Sequence, residues 1–343
     1  MFILYILIAL LITLPITTFG FYNKKNLPGI FFCLLLAIPA WFLGQWLPIV
    51  GGPVIGLVLG MLLAQFSHLP AASQPGIKET GKRILQTAIM LLGFQMSFAH
   101  FLYVGSQAIF ILLAVITTAL ILAYLLGKRM GISKNEQTLI GVGTAICGGS
   151  AIAATAPIIK ADDKQVATAI ATIFLFNVIA VFVFPTAGHL LGMDEAMFGT
   201  WAGAAINDTS SVTAAGFAYG DVAGGTAIVV KLTRTLMIIP VTLLLALKQS
   251  KQGGNGELFK IHKNFPWFVA GFMAACVLNT IGVIPTEATM FWGMMGRFFI
   301  IVAMVGIGLN IKFKELFRHG KKPMALGFCL SLAVAMVSLV LIF

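Results

Sequence analysis

Acidic residues are scarce: Asp and Glu together occupy 11 of 343 positions, and all charged residues make up only 10% of the chain. A soluble domain carries about a quarter charged residues, so a water-exposed globular fold is excluded. No long polar, Pro-rich or Ser-rich stretch is present either, which excludes a separate soluble domain or a flexible linker. The four cysteines, Cys33, Cys147, Cys276 and Cys329, are scattered without CxxC spacing and argue against a disulfide framework or a metal centre. Neither G-x-S-x-G nor G-x-x-x-x-G-K-[ST] occurs, and the five histidines show no HExxH spacing, so neither an enzyme nor a cofactor is expected. Residues 1–20 are apolar but lack a basic n-region and a small-residue cleavage site, which favours a retained helix over a removed signal peptide.

What is abundant is apolar sequence. Hydrophobic residues form 59% of the chain and mean hydropathy is +1.00, in runs that repeat along the whole length. The expected fold is an all-α polytopic membrane protein in the bacterial cytoplasmic (inner) membrane. Ordinary spans fall at about 2–21, 28–47, 50–67, 82–101, 106–127, 166–190, 225–247, 265–284, 289–311 and 323–343. These ten are joined by two interrupted or re-entrant segments, near 138–159 and 198–220. All of 1–343 reads as one membrane domain, with core segments at about 138–247 and 81–127 and the rest as scaffold. The net charge of +11 sits mostly in short loops between spans, pointing to positive-inside topology and anionic lipid rather than to nucleic acid.

The two interrupted segments resemble each other at an offset of 60. Gly143, Ala145, Ile146, Ser150 and Ala154 match Gly203, Ala205, Ile206, Ser210 and Ala214. A second echo, at an offset of 215, sets Gly81, Ala88, Gly93 and Gln95 against Gly296, Ala303, Gly308 and Asn310. Together the echoes favour a duplicated transporter fold with inverted repeats. Re-entrant hairpins put every basic loop inside and Asp194-Glu195 and Glu287 outside, whereas two full crossings move Asp194-Glu195 to the cytoplasm.

Chemistry concentrates in few places. In ICGGSAIAA, 146–154, Cys147, Gly148, Gly149 and Ser150 form a helix-breaking tip whose free N–H groups suit a ligand. In GAAINDTSSVTAAGFAYG, 203–220, Asn207, Asp208, Thr209, Ser210 and Ser211 are five consecutive polar residues, read as a second tip or as a solvated outer loop. Lys231 and Arg234 share one face of an apolar span, and Asp208 is the acid placed to pair with either. On that reading Arg234→Gln leaves folding intact and removes anion binding. Lys82, Arg83 and Arg297 are expected to snorkel near span ends. Gln95 and Asn310 read as interhelical amides, and Gly52, Gly56 and Gly60 as a packing GxxxG.

The stretches 141–165 and 199–240 resemble the YeiH-type family of bacterial inner-membrane proteins, a family named for sulfate export. The resemblance runs through GGPVIGLVLG at 51–60, LLGFQMSF at 91–98, ICGGSAIAA at 146–154 and KLTRTLMIIP at 231–240. It implies membership of the cation-proton antiporter and anion transporter superfamily, with inverted repeats and interrupted helices crossing at the substrate site. ICGGSAIAA is also similar to the Gly-Gly-Ser/Thr interruption of bile-acid-type symporters. Where relatives often carry a His-acid pair followed by Gln, this chain has Asn207-Asp208 and Ser211, which keeps the acid and removes the His.

The expected function is secondary active transport of a small anion, of the sulfate, sulfonate or small carboxylate class, by alternating access. A proton or Na⁺ is the coupling ion compatible with Asp208, and a homodimer is compatible with the fold. Two alternatives stand beside it: a Na⁺/H⁺-type cation antiporter using Asp208, and a non-transporting membrane scaffold.

Overall fold

A computed structural model describes residues 26–47, 51–66, 70–250, 267–311 and 320–343. The expected span at 2–21 and the basic stretches at 251–263 and 312–319 lie outside the described residues. Every regular element among the described residues is helical. In chain order these are α1 (Leu27–Trp46), α2 (Gly51–Phe66), α3 (Gln74–Glu79), α4 (Leu85–Gly93), α5 (Phe98–Arg129), α6 (Lys134–Ala145), α7 (Gly149–Thr155) and α8 (Asp163–Leu190). They continue with α9 (Glu195–Ala205), α10 (Thr209–Tyr219), α11 (Asp221–Leu236), α12 (Ile238–Ser250), α13 (Trp267–Thr280), α14 (Thr286–Leu309) and α15 (Lys321–Ile342). Six stretches are long and apolar enough to cross a bilayer: α1, α5, α8, the run Asp221–Leu245, α14 and α15. α2 and α13 are shorter apolar helices, and a π turn at Thr80–Ile84 joins α3 to α4 into one continuous rod. The protein is therefore a multi-pass helical membrane protein.

One break falls elsewhere than expected. The loop anticipated at 101–105 is helical, and the chain turns instead at 94–97. Ser97 caps α5 by accepting from His100 N (3.2 Å), while Phe98 N donates to Thr280 Oγ1 (2.7 Å). That capped start outweighs the weak helix propensity of Gly105 inside a long apolar run. Gln95 consequently lies in the turn rather than in a helix, and Asn310 donates to Gly306 O of its own helix (2.8 Å). Neither amide makes the expected interhelical bond among the described residues.

The offset-215 echo corresponds to a symmetric crossing. A Cβ at Gly81 would meet Ile307, one at Gly306 would meet Gly81 N at 3.0 Å, and one at Gly296 would meet Ala88 O (3.1 Å) and Leu92. Since 296 is 81 plus 215, and 306 is 91 plus 215, the two rods touch through equivalent positions while running antiparallel. That is the geometry of an inverted repeat. A Cβ at Gly56 or Gly60 of α2 would fall 3.1 Å from Ile301 O or 2.5 Å from Val305 O of α14, so the double GxxxG does pack helices closely.

α1–α4, α13 and α14 form one packed group. α15 packs instead on α5, α6, α8 and α9. The segment 81–93, grouped from sequence with the core, sits against α13 and α14.

Two hairpins enter from opposite ends of α8. Asn135 Nδ2 and Gln165 Oε1 are 3.3 Å apart, and Gln165 Nε2 donates to Ser133 Oγ (3.3 Å), so the chain leaves α7 at the end where it entered α6. A Cβ at Gly143 would lie 2.9 Å from Ile152 Cδ1, although nine residues of continuous helix would separate them by about 13 Å. At the other end of α8, Tyr219 donates to Met193 O, and Glu195 Oε2 accepts from Val222 N (2.8 Å) and Ala223 N (3.1 Å). α9 and α10 thus also enter and return on one side. The basic residues Lys128, Arg129, Lys134 and Lys164 cluster at the first end, making it cytoplasmic by the positive-inside rule. A single Cys introduced at exposed Ala196, with the four native cysteines replaced, should react with an impermeant maleimide added from outside. Labelling only after permeabilisation would mean two full crossings.

Candidate functional site

The hairpins break at equivalent residues. α6 ends at Ala145 and α7 starts at Gly149; α9 ends at Ala205 and α10 starts at Thr209, each pair 60 positions apart. The linkers Ile146-Cys147-Gly148 and Ile206-Asn207-Asp208 meet near Asn177, which lies 14 residues into the 28-residue α8 and so about 21 Å along a 42 Å helix. Asp208 N donates to Asn177 Oδ1 (3.2 Å). Gly148 has φ 65° and ψ −124°, a conformation that side chains disfavour, and a Cβ there would lie 3.7 Å from Asp208 Cβ. The positive φ at Gly148 is thus what turns the chain between α6 and α7, beside the second linker. Asn177 was not recognised from the sequence; its one signal is an amide in the middle of a long apolar run.

Lys231 and Arg234 project from α11, which α9 and α10 approach closely through small residues. A Cβ at Gly199 or Gly203 would fall 2.6–2.7 Å from Ala223 O or Ala227 O. Both cations are fully buried. Lys231 Nζ donates to Ile146 O and Ile206 O, each at 2.8 Å, one carbonyl from each tip. Arg234 donates from Nε to Ala145 O (2.8 Å), from one terminal nitrogen to Ala204 O (2.8 Å) and Ile206 O (3.1 Å), and from the other to Thr144 O. The last carbonyls of α6 and α9 have no partner within their own helices, and these two side chains supply one.

This corrects the expected pairing. Asp208 forms no ion pair with Lys231 or Arg234; it caps α10, its Oδ2 accepting from Ser210 N (2.9 Å) and from Ser210 Oγ. The cations staple the C-terminal ends of the half-helices, and the carboxylate serves an N-terminal end. The segment 207–211 is likewise no solvated loop: Asn207, Ser210 and Ser211 are buried, while Asp208 and Thr209 are half-buried. In the first tip Cys147 and Gly148 are buried, Ser150 is exposed, and open space surrounds the Cβ position of Gly149.

Of the expected site residues, Cys147, Gly148, Asn207, Asp208, Lys231 and Arg234 therefore converge on one locus. Gly149, Ser150 and Thr209 lie at its more open edge, and Ser210 and Ser211 support α10. The site thus gathers two buried basic side chains, Lys231 and Arg234, and one half-buried carboxylate, Asp208.

The chain matches, over residues 28–327, the sequence profile of the family described as conserved hypothetical protein 698. A UPF0324 membrane protein of Fusobacterium nucleatum subsp. nucleatum is 45% identical, over 92% of this chain and 97% of its own. This chain belongs to the UPF0324 membrane-protein family. Other UPF0324 relatives come from Streptococcus pyogenes serotype M3, 44% identical, and Streptococcus agalactiae serotype V, 42% identical, each aligned over 92% of this chain and 96% of its own. The match takes in α2–α14 of this UPF0324 protein and so includes both hairpins and the cations that tie them.

Proposed function

We propose that the protein is a secondary active transporter of a small anion, working by alternating access, as the resemblance to YeiH-type proteins also implies. The observation that carries this reading is the meeting of two oppositely inserted hairpins at the middle of α8. Irregular backbone at membrane depth is costly unless it is buried in protein or lines a wet cavity, and its use at such a crossing is a transport device. The moving part on this reading is the group around α5–α12 and α15, and the fixed part is α1–α4, α13 and α14. Two basic side chains against one carboxylate at the tips favour an anionic cargo, held between the open edge of Gly149 and Ser150 and the start of α10.

A specific observation supports the cation-antiporter reading as second. Asn207 Oδ1 is buried without a hydrogen-bond partner, next in sequence to the Asp208 carboxylate. Two hard oxygens in succession suit Na⁺.

Counterflow in proteoliposomes separates the readings. Liposomes preloaded with sulfate, an alkanesulfonate or a small carboxylate should accumulate the labelled anion several-fold above protein-free liposomes. Na⁺/H⁺ exchange without anion counterflow would establish the antiporter instead; neither activity would leave the non-transporting scaffold.

A further inference from the structure

Arg297 does not behave as a snorkelling residue. It sits at the twelfth of 24 positions in α14, and its guanidinium pairs with Asp221 of α11 at 3.2 Å, tying α14 to α11. The pair stands at a cavity of about 500 Å³ between α4, the start of α5, α10, α11, α13 and α14. Polar groups line it from Gln95, Ser97, His100 and Thr226, and apolar walls come from Phe217 and Phe272. The cavity extends along α11 from Asp221 to Ile228, one turn short of Lys231. Its Asp221 end adjoins Glu195, which accepts from Val222 N (2.8 Å).

We propose that this cavity is a binding site for a small organic anion, a sulfonate or carboxylate bearing an apolar group, with Arg297 as its charge ligand. Asp221 occupies the anion's place until the ligand displaces it. Asp221 is exposed and Arg297 half-buried, with side-chain exposures of 69% and 30%, so the pair adds little to stability and yields readily to a better-placed anion. Hydrogen-bonding side chains around one cation, backed by aromatic walls, are the composition of a small-molecule site. The proposal rests on the transport reading and adds to it an outer site above the tips.

Titration calorimetry on the purified full-length protein tests this with ethane-, propane- and butanesulfonate, benzoate and inorganic sulfate. Affinity should rise roughly fourfold per methylene along the sulfonate series. Arg297→Gln should weaken binding at least tenfold, and Asp221→Asn should strengthen it several-fold by removing the internal competitor. Equal affinities in the parent and Arg297→Gln would overturn the proposal, as would weaker binding in Asp221→Asn. Counterflow in Arg297→Gln keeps the two readings apart: transport that persists at high anion concentration while the calorimetric signal never depended on Arg297 refutes the outer site alone.

Discussion

Arg234→Gln should destabilise the protein by about 3–5 kcal/mol, the loss expected when one partner of a buried charged network is removed. Its guanidinium satisfies carbonyls of Thr144, Ala145, Ala204 and Ile206, drawn from both half-helices. Charged hydrogen bonds are worth about 1.5–3 kcal/mol each, and a glutamine amide can replace at most two of these. The carbonyls left over would stay buried and unpaired at membrane depth, where water cannot take the donor's place. Equilibrium unfolding in mixed micelles, with size-exclusion homogeneity before and after heating, measures the effect. Arg234→Lys should recover part of the loss, because an ammonium reaches some of the same carbonyls without the planar fork. A glutamine variant as stable as the parent that had lost only anion binding would restore Arg234 as a substrate ligand. It would also show that the carbonyls find other partners.

Asp208→Asn should leave folding within about 1 kcal/mol, because asparagine is as good an N-cap as aspartate and can accept from Ser210 N in the same way. The substitution removes the one carboxylate at the tips. Equilibrium anion binding should therefore be unchanged or tighter, although no side-chain cation is released by the substitution. Gradient-driven uptake is where the large effect is expected: stimulation by an imposed Na⁺ or pH gradient should fall at least tenfold, since the ionisable oxygen beside the unpartnered Asn207 acceptor is gone. Uptake in proteoliposomes with and without each gradient, alongside anion binding, reads both quantities. A gradient response equal to the parent's would remove Asp208 from coupling. Retained cation-induced stabilisation in a protein that never bound an anion would overturn both the coupling role and the anion reading.

The hairpin breaks were legible because their causes are local. Gly148-Gly149 cannot continue a helix cheaply, five polar residues at 207–211 interrupt an apolar run, and both signals recur 60 positions apart. The displaced turn at 94–97 was not, because it depends on Thr280, 182 positions away, receiving Phe98 N. Arg297 was misplaced for a related reason: helix length fixes its position along α14, but its partner lies 76 positions away on α11. Asn177 stood in plain view as a polar residue in an apolar helix, yet nothing in the sequence tells which backbone group it serves.

By themselves, hydropathy, charge placement and the two echoes determined a multi-pass helical protein with paired breaks, because burial in lipid selects composition residue by residue. The tertiary structure decided what the charges do. Lys231 and Arg234 were read as partners of Asp208 because side chains are what a sequence displays, whereas their acceptors are main-chain carbonyls of Thr144, Ala145, Ile146, Ala204 and Ile206. Every residue carries a carbonyl, so none is marked in the sequence. Only when two helices end side by side at the middle of a membrane does a particular set of carbonyls lack partners and become the acceptors that hold a buried cation.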